Sequence, residues 1–285
     1  MSSVLKSSPE TIDWATLDLP DAWPDTIGWH QPRQLWRLWA GVFSGRTRRV
    51  ELPQNLPGRE CLPRYLLQEF LHLPNGNFSK SIGRGYSNSS DYVMLGCVRE
   101  ARREIARRLA HAKCVIDVGC GGGQLSAELS LNKNSEVWGL ESSPYLLQHA
   151  ANRVSNLRCV QGVVEKTDFA EGYFDAAGVC FVFHGIPPRY ADKALDELYR
   201  ILKPGALLVI AEPAPDQMVM SFFGMWRRHG WRGVYFRLLA LRMFEPFVRA
   251  WHARDHVAWF DLHGFNLVEK EANMPYTIFV AQRRV

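Results

Sequence analysis

The sequence predicts an α/β fold, a mostly parallel sheet with helices on both faces. Three observations carry that expectation. Apolar runs of strand length recur at 114–118 (CVIDV), 136–141 (EVWGLE), 157–161, 174–181 and 206–212. Strands buried on both sides read this way, because neither face meets water. Amphipathic stretches of helix length separate them, at 123–131, 143–154 and 189–202, and such alternation builds parallel sheets. The first run also ends in a glycine-rich turn, DVGCGGG at 117–123, and open parallel sheets bind ligands beside their strands' carboxyl ends.

The remaining elements follow in chain order. Residues 1–89 form an N-terminal extension rich in Pro, Gly and Trp, with Trp14, Trp23, Trp29, Trp36 and Trp39 punctuated by prolines. Short helices are expected over 33–43 and 63–73. The stretch 73–91, LPNGNFSKSIGRGYSNSSD, reads as a loop, because Asn-Gly and repeated Ser/Asn favour turns. Asp91 then caps a helix along which Leu95, Val98, Ile105 and Leu109 recur. The helix over 189–202 stops at Lys203-Pro204-Gly205, a basic last turn followed by two breakers. Residues 213–252 are aromatic, Met-rich and basic, and predict two or three helices inserted over one end of the sheet. A helix over 255–263 and strands over 265–271 and 276–282 close the 90–285 domain.

Composition narrows the function classes. Of 285 residues 47% are hydrophobic and 22% charged, with a net charge of +5, the balance of a soluble globular protein. No run of about 18 apolar residues predicts a transmembrane helix, and MSSVLKSSPE lacks the features of a signal peptide. Six cysteines without a CxxC pair fit a reduced, cytoplasmic chain.

The glycine turn departs from the dinucleotide pattern. Gly119 and Gly121 fit GxGxxG, but Gln124 stands where the third glycine belongs. Asp117, two residues before the first glycine, repels a pyrophosphate and suits a cofactor with a cationic end near the loop. S-adenosyl-L-methionine has a sulfonium and an ammonium and no phosphate. Glu141 ends the second strand, where a carboxylate can accept hydrogen bonds from two ribose hydroxyls.

VIDVGCGGG, VWGLESSP, YFDAAGVCFVFHGI and ALDELYRILKPGALLVIAEP, taken in order, resemble the class I S-adenosylmethionine-dependent methyltransferases. The likeness is to their small-molecule group, which includes the ubiquinone and menaquinone methyltransferases, and it covers residues 90–285. It implies a Rossmann-like seven-stranded sheet with an antiparallel last strand. It also implies that Asp117, Gly119, Gly121 and Glu141 line the cofactor. Cys120, Gly123, Ser142, Val163, Val164 and Phe181, at the ends of the first four strands, are expected to bind it as well, and Tyr86 is placed to fold over the site as N-terminal tyrosines do in similar enzymes. One departure concerns the adenine. Where the family carries an acid after the third strand, this chain reads Gly162-Val163-Val164-Glu165, which leaves backbone groups or Glu165 to hold that ring.

Methyl transfer from a sulfonium asks chiefly for orientation and exclusion of water. A hydroxyl nucleophile also needs a base, and His184, at the end of the fourth strand, is the catalytic candidate; a structural role at that spot is the alternative. His229, His252, His256 and His263 show no metal-ligand spacing, so no metal is expected. Phe222, Phe223, Met225, Trp226, Trp231, Tyr235, Phe236 and Met243 make the insertion apolar, which favours a small hydrophobic acceptor. Its arginines, Arg227, Arg228, Arg232, Arg237 and Arg242, either face anionic lipid headgroups, giving peripheral membrane contact, or are simply solvated. Nucleic acid is not an expected partner, since no recognition module appears. The alternatives to a small-molecule enzyme are a non-catalytic binding or scaffold protein on this fold and an RNA or protein methyltransferase.

Overall fold

Seven strands form one sheet in the order β3-β2-β1-β4-β5-β7-β6 in the computed structural model, which describes residues 9, 12–28, 30–36, 48–243 and 245–285. The strands are β1 Cys114–Val118, β2 Glu136–Glu141, β3 Arg158–Gln161, β4 Phe174–Cys180, β5 Leu202–Pro213, β6 Phe265–Ala272 and β7 Tyr276–Arg283. β1 to β5 pair in parallel, and β7 runs antiparallel to both β5 and β6. The order reverses at β1, which pairs with β2 on one side and β4 on the other. The glycine turn therefore opens at the switch point of the sheet, where a crevice forms.

Strand alternation sorts side chains between two cores. Ile116, Val118, Leu208 and Ile210 face one side, with Phe174, Leu195, Leu198 and Phe260. Val115, Val209 and Ala211 face the other, with Ile105, Leu109 and Leu125. Helices named α1 Lys80–Val93, α2 Cys97–Arg108, α3 Gln124–Leu129, α4 Pro144–Arg153 and α5 Pro188–Ile201 precede the cover. The cover holds α6 Asp216–Val219, α7 Phe222–Arg242 and α8 Val248–Ala253, and α9 His256–Leu262 leads back to the sheet. The predicted helical insertion is thus three helices among the described residues, with a kink in α7 at Gly230 (φ 63°, ψ −155°).

Three expectations need correction. The stretch 73–91 is not a loop: its second half is α1, and the helix expected from Asp91 is split into α1 and α2 at Leu95-Gly96, both at positive φ. The reason lies elsewhere in the chain. Asp25 accepts hydrogen bonds from the backbone N–H groups of Lys80 and Ser81 and from the hydroxyls of Ser79 and Ser81, at 2.7–3.0 Å. Ser79 caps Ile82 N–H in turn. Those first-turn donors have no intrahelical partner, and a remote carboxylate satisfies them. The helix expected over 63–73 shrinks to a 3-10 turn, Arg64–Leu67, because Leu71 and His72 take positive φ. The helix over 189–202 ends at Ile201, and Leu202-Lys203-Pro204-Gly205 begin β5 instead. Of the helix expected over 33–43, residues 33–36 are helical and the rest lies outside the described residues, as do Trp29 and Trp39.

The N-terminal extension packs on α4 and the β3 edge. Trp14 is buried against Leu147, Ala150 and Cys159, its indole N–H donating to Cys159 O at 3.2 Å. The Tyr145 hydroxyl donates to Pro20 O at 2.8 Å. Truncating the capping carboxylate, Asp25→Ala, is expected to destabilise the fold by about 1–3 kcal/mol and to speed amide exchange at Lys80–Gly83, as hydrogen-exchange mass spectrometry would read.

Candidate active site

The turn after β1 carries the site, and β2 supplies the acid that shapes it. Register aligns Val118 with Leu140, so Cys120 N–H donates to Leu140 O at 3.0 Å. Glu141 then reaches across the turn. One of its oxygens accepts from Gly121 N–H at 3.0 Å; the other accepts from Ser143 N–H at 2.9 Å and the Ser142 hydroxyl at 3.0 Å. Burial pushes this carboxyl upward in pKa, and the bonds from Ser143 and Gly121 oppose that push.

Two of the glycines are required by geometry. Gly119 has φ 66°, and a Cβ there would lie 2.6 Å from Val182 Cγ2. Gly121 has φ 53°, and a Cβ would meet nothing nearer than Gln124 Oε1 at 4.0 Å, so the turn opens onto free space. That space is a cleft of about 220 Å³ lined by Gly119, Gly121, Glu141, Ser142, Val163 and Val164 among others. A second cavity of about 420 Å³ adjoins it, walled by Phe70, Leu71, Met94, Leu239, Met243 and Val248. Tyr86, Gly119, Gly121, Phe181, His184 and Glu245 line both.

The structure gathers most of the residues singled out in the sequence and sets three apart. Gly119, Gly121, Glu141, Ser142, Val163, Val164, Phe181, Tyr86 and His184 line the first cleft; Asp117, Cys120 and Gly123 do not. Alternation puts Asp117 on the face of Val115, toward α3, where the Ser126 hydroxyl donates to it at 2.6 Å. Its carboxyl borders the second cavity, and burial raises its pKa to about 7 against the bond from Ser126. The Cys120 thiol packs toward Gly139, also bordering the second cavity. Gly123 is the N-cap of α3, its Cα hydrogen pointing at Ala150. Tyr86 belongs to α1, not to a preceding loop. Phe181 sits at φ 61°, with its N–H bound to Ala211 O at 2.8 Å. A left-handed phenylalanine is a strained conformation of the kind that concentrates at functional sites.

Several site residues escaped sequence reasoning. Glu212, at the end of β5, is fully buried and accepts the backbone N–H groups of Val182, Phe183 and His184. His184 Nδ1 lies 2.6 Å from Glu212 Oε2, and its Nε2 lies 3.5 Å from Glu245 Oε1 in the cover. Burial acts to lower the imidazole pKa, but the two carboxylates override it and hold the ring protonated, with a pKa of about 10. Glu245 lies below its ordinary range, burial being outweighed by His184. At the far end of the cleft, the Tyr65 hydroxyl donates to Glu165 Oε1, while Glu165 Oε2 is buried without a partner among the described residues. Glu212 had a legible signal: it follows Leu208 and Ile210 at two-residue spacing, so strand alternation turns it to their inward face. The long-range partners Tyr65 and Glu245 carried none.

The imidazole gives a pH signature. Its folded pKa of about 10 exceeds the ordinary 6.5, so its ion pairs stabilise the fold fully below pH 6.5 and fade as pH rises toward 10. The His184 ring resonance is expected to titrate above pH 9 by NMR, and Glu245→Gln to bring that midpoint down by about one pH unit or more.

Residues 116–210 match the methyltransferase domain family model. The chain is 29% identical over 172 residues to a demethylmenaquinone methyltransferase of Lactiplantibacillus plantarum, covering 56% of this chain and 71% of that protein. It is 30% identical over 141 residues to a ubiquinone/menaquinone biosynthesis C-methyltransferase of Neisseria gonorrhoeae, covering 46% and 56%. An uncharacterised methyltransferase of Synechocystis is 33% identical over 98 residues, covering 34% and 46%; the chain thus spans from under half to about seven-tenths of these relatives. The fold matches the crystal structure of an S-adenosylmethionine-dependent methyltransferase from Aquifex aeolicus with TM-score 0.50 and 17% identity, covering 72% of this chain and 98% of that one. With the glycine turn, Glu141 and the seven-stranded sheet already in place, these likenesses support a class I S-adenosylmethionine-dependent methyltransferase, with residues 116–210 as its methyltransferase domain.

Proposed function

We propose that this chain transfers a methyl group from S-adenosylmethionine to a small, apolar acceptor. The observation that carries the reading is the buried Glu141 carboxylate, pinned by Gly121 and Ser143 N–H groups at the lip of an open cleft. The cofactor, when bound, supplies an electrophilic methyl on sulfonium. The chain's own groups bind and orient. Glu141 accepts the ribose hydroxyls. Glu165 Oε2, unpartnered among the described residues, accepts the adenine amino group in place of the missing acid at Val163. Residues 1–89 act as a cap, a role supported by Tyr65, Phe70 and Phe78 lining the cleft.

The apolar wall of the second cavity supports a hydrophobic acceptor, and the relatives named for demethylmenaquinone support the same reading. His184 has both ring nitrogens committed to carboxylates, so it holds charge and position and is not itself the base. Glu245, at the junction of the two cavities, is the group placed to take a proton from an acceptor O–H or N–H.

Calorimetric titration should show S-adenosylmethionine and S-adenosylhomocysteine binding to the full chain; no binding of either would overturn the reading. Glu141→Gln is expected to weaken binding about 10- to 100-fold. Glu165→Ala is expected to weaken it about tenfold and to erase discrimination against an inosine analogue, which lacks the amino group. Incubation with labelled S-adenosylmethionine and cell extract should place label in the organic-soluble fraction. Label confined to RNA or protein would favour the macromolecular alternative, and binding without transfer the non-catalytic one.

A further inference from the structure

Helix α7 is apolar on two sides. Its inner side, with Leu239, Ala240 and the following Met243, walls the second cavity, and Met225 and Phe236 are buried beneath it. Its outer side is not covered by the rest of the described chain. Beyond the Gly230 kink, Trp231, Leu238 and Leu241 are 48–61% exposed, and Val234 lies between them in the sequence at the spacing of a single helical stripe. Before the kink, Phe222, Phe223 and Trp226 are exposed as well. Tyr92 at the end of α1, 80% exposed, extends this surface, because the Tyr235 hydroxyl ties α7 to Val93 O at 2.7 Å.

The charged side chains of the helix itself have one sign. From Phe222 to Arg242 the helix holds five arginines and no Asp or Glu. Arg232, though exposed, donates to Cys97 Sγ, and Arg237 donates to the carbonyls of Gln217 and Met218. Arg228 lies 3.3 Å from Asp216. Arg227 and Arg242 on α7 are exposed, as is Arg249 on α8. Tryptophan, phenylalanine and leucine flanked by arginine are the pattern of a helix lying in a membrane interface, and arginines near such a surface gain from anionic headgroups. No helix among the described residues is long and apolar enough to cross a membrane.

We propose that the outer side of α7, with Tyr92, docks the protein on an anionic bilayer. Arg227 and Arg242 engage headgroups while Phe223, Trp226, Trp231, Leu238 and Leu241 enter the interface. The same helix walls the second cavity, so docking brings that cavity beside the lipid in which an apolar acceptor dissolves. This last consequence rests on the proposed methyl transfer; the docking itself does not.

The test is flotation of the full chain with vesicles of phosphatidylcholine alone and of phosphatidylcholine mixed with phosphatidylglycerol, at low and high salt. Binding to the anionic vesicles is expected to exceed binding to the neutral ones by about tenfold or more and to weaken with salt. The double variants Phe223→Ser/Trp231→Ser and Arg227→Glu/Arg242→Glu should each lose it, whereas Leu131→Ser, at an exposed apolar residue just past α3, should not. Circular dichroism and thermal melts on each variant establish that it is folded. No preference for anionic vesicles, or unchanged binding by both double variants, overturns the proposal. So does a concentration-dependent dimer, seen by light scattering, that Trp231→Ser disrupts while vesicles stay unbound, since the surface would then belong to a second copy. Calorimetry with S-adenosylhomocysteine on the same preparations separates the readings: cofactor binding without flotation rejects docking alone, and flotation without cofactor binding rejects methyl transfer alone.

Discussion

A single carboxylate holds the ligand-binding edge of this sheet together. Glu141 is buried, and an ionised group in that position costs several kcal/mol unless it is hydrogen-bonded. Its donors come from Gly121 on the preceding turn, and from Ser142 and Ser143 on its own. The turn after β1 and the turn after β2 are therefore fixed relative to each other through one side chain. The parallel register of β1 and β2 delivers it there, and the positive φ values at Gly119 and Gly121 let the backbone present its N–H groups to it. The cleft has its shape because these conditions are met together.

A second charged group ties the cover to the sheet. Glu212 ends β5 on the same face as Ile210, and three backbone N–H groups and the His184 imidazole satisfy it. Glu245 approaches the other side of that imidazole from the cover. A cation between two carboxylates in a low-dielectric wall is a mutual arrangement: removing any one member leaves an uncompensated charge. The segment between α7 and α8 is thereby brought against the end of β4, at the boundary of the two cavities. Inner and outer faces of α7 are then set by that placement, one toward the apolar cavity and one toward the surroundings.

The N-terminal extension follows different physics. It has few ladder hydrogen bonds, so polar side chains satisfy its backbone. Asp25 takes the first-turn donors of α1, Glu69 takes Arg48 and Asn75 N–H, and Asn75 serves Glu51 N–H, Glu51 O and Phe78 O. Buried polar groups arranged this way pin irregular backbone over α4 and bring Tyr65, Phe70 and Phe78 to the cleft.

The strands, the order in which helices separate them, and the turn with its two acids were all legible in the sequence, because a buried parallel strand must be apolar throughout and the cofactor turn needs glycine at fixed spacing. Local patterns of that kind depend on residues near one another in the chain. Asp117 shows the limit: the resemblance implies that it lines the cofactor, yet alternation along β1 points it at Ser126, away from the first cleft. Helix α1 was missed because its sequence favours turns and the carboxylate that takes its first-turn N–H groups lies at residue 25, so a tertiary acceptor overrode propensity. The protonation of His184 was equally hidden, for it is set by Glu212 and Glu245, which are 28 and 61 positions away. The sequence by itself determined the sheet and its cofactor turn. The tertiary structure alone decided which side chains share a cavity and which charges coexist there, because those depend on through-space distances that residue spacing does not encode.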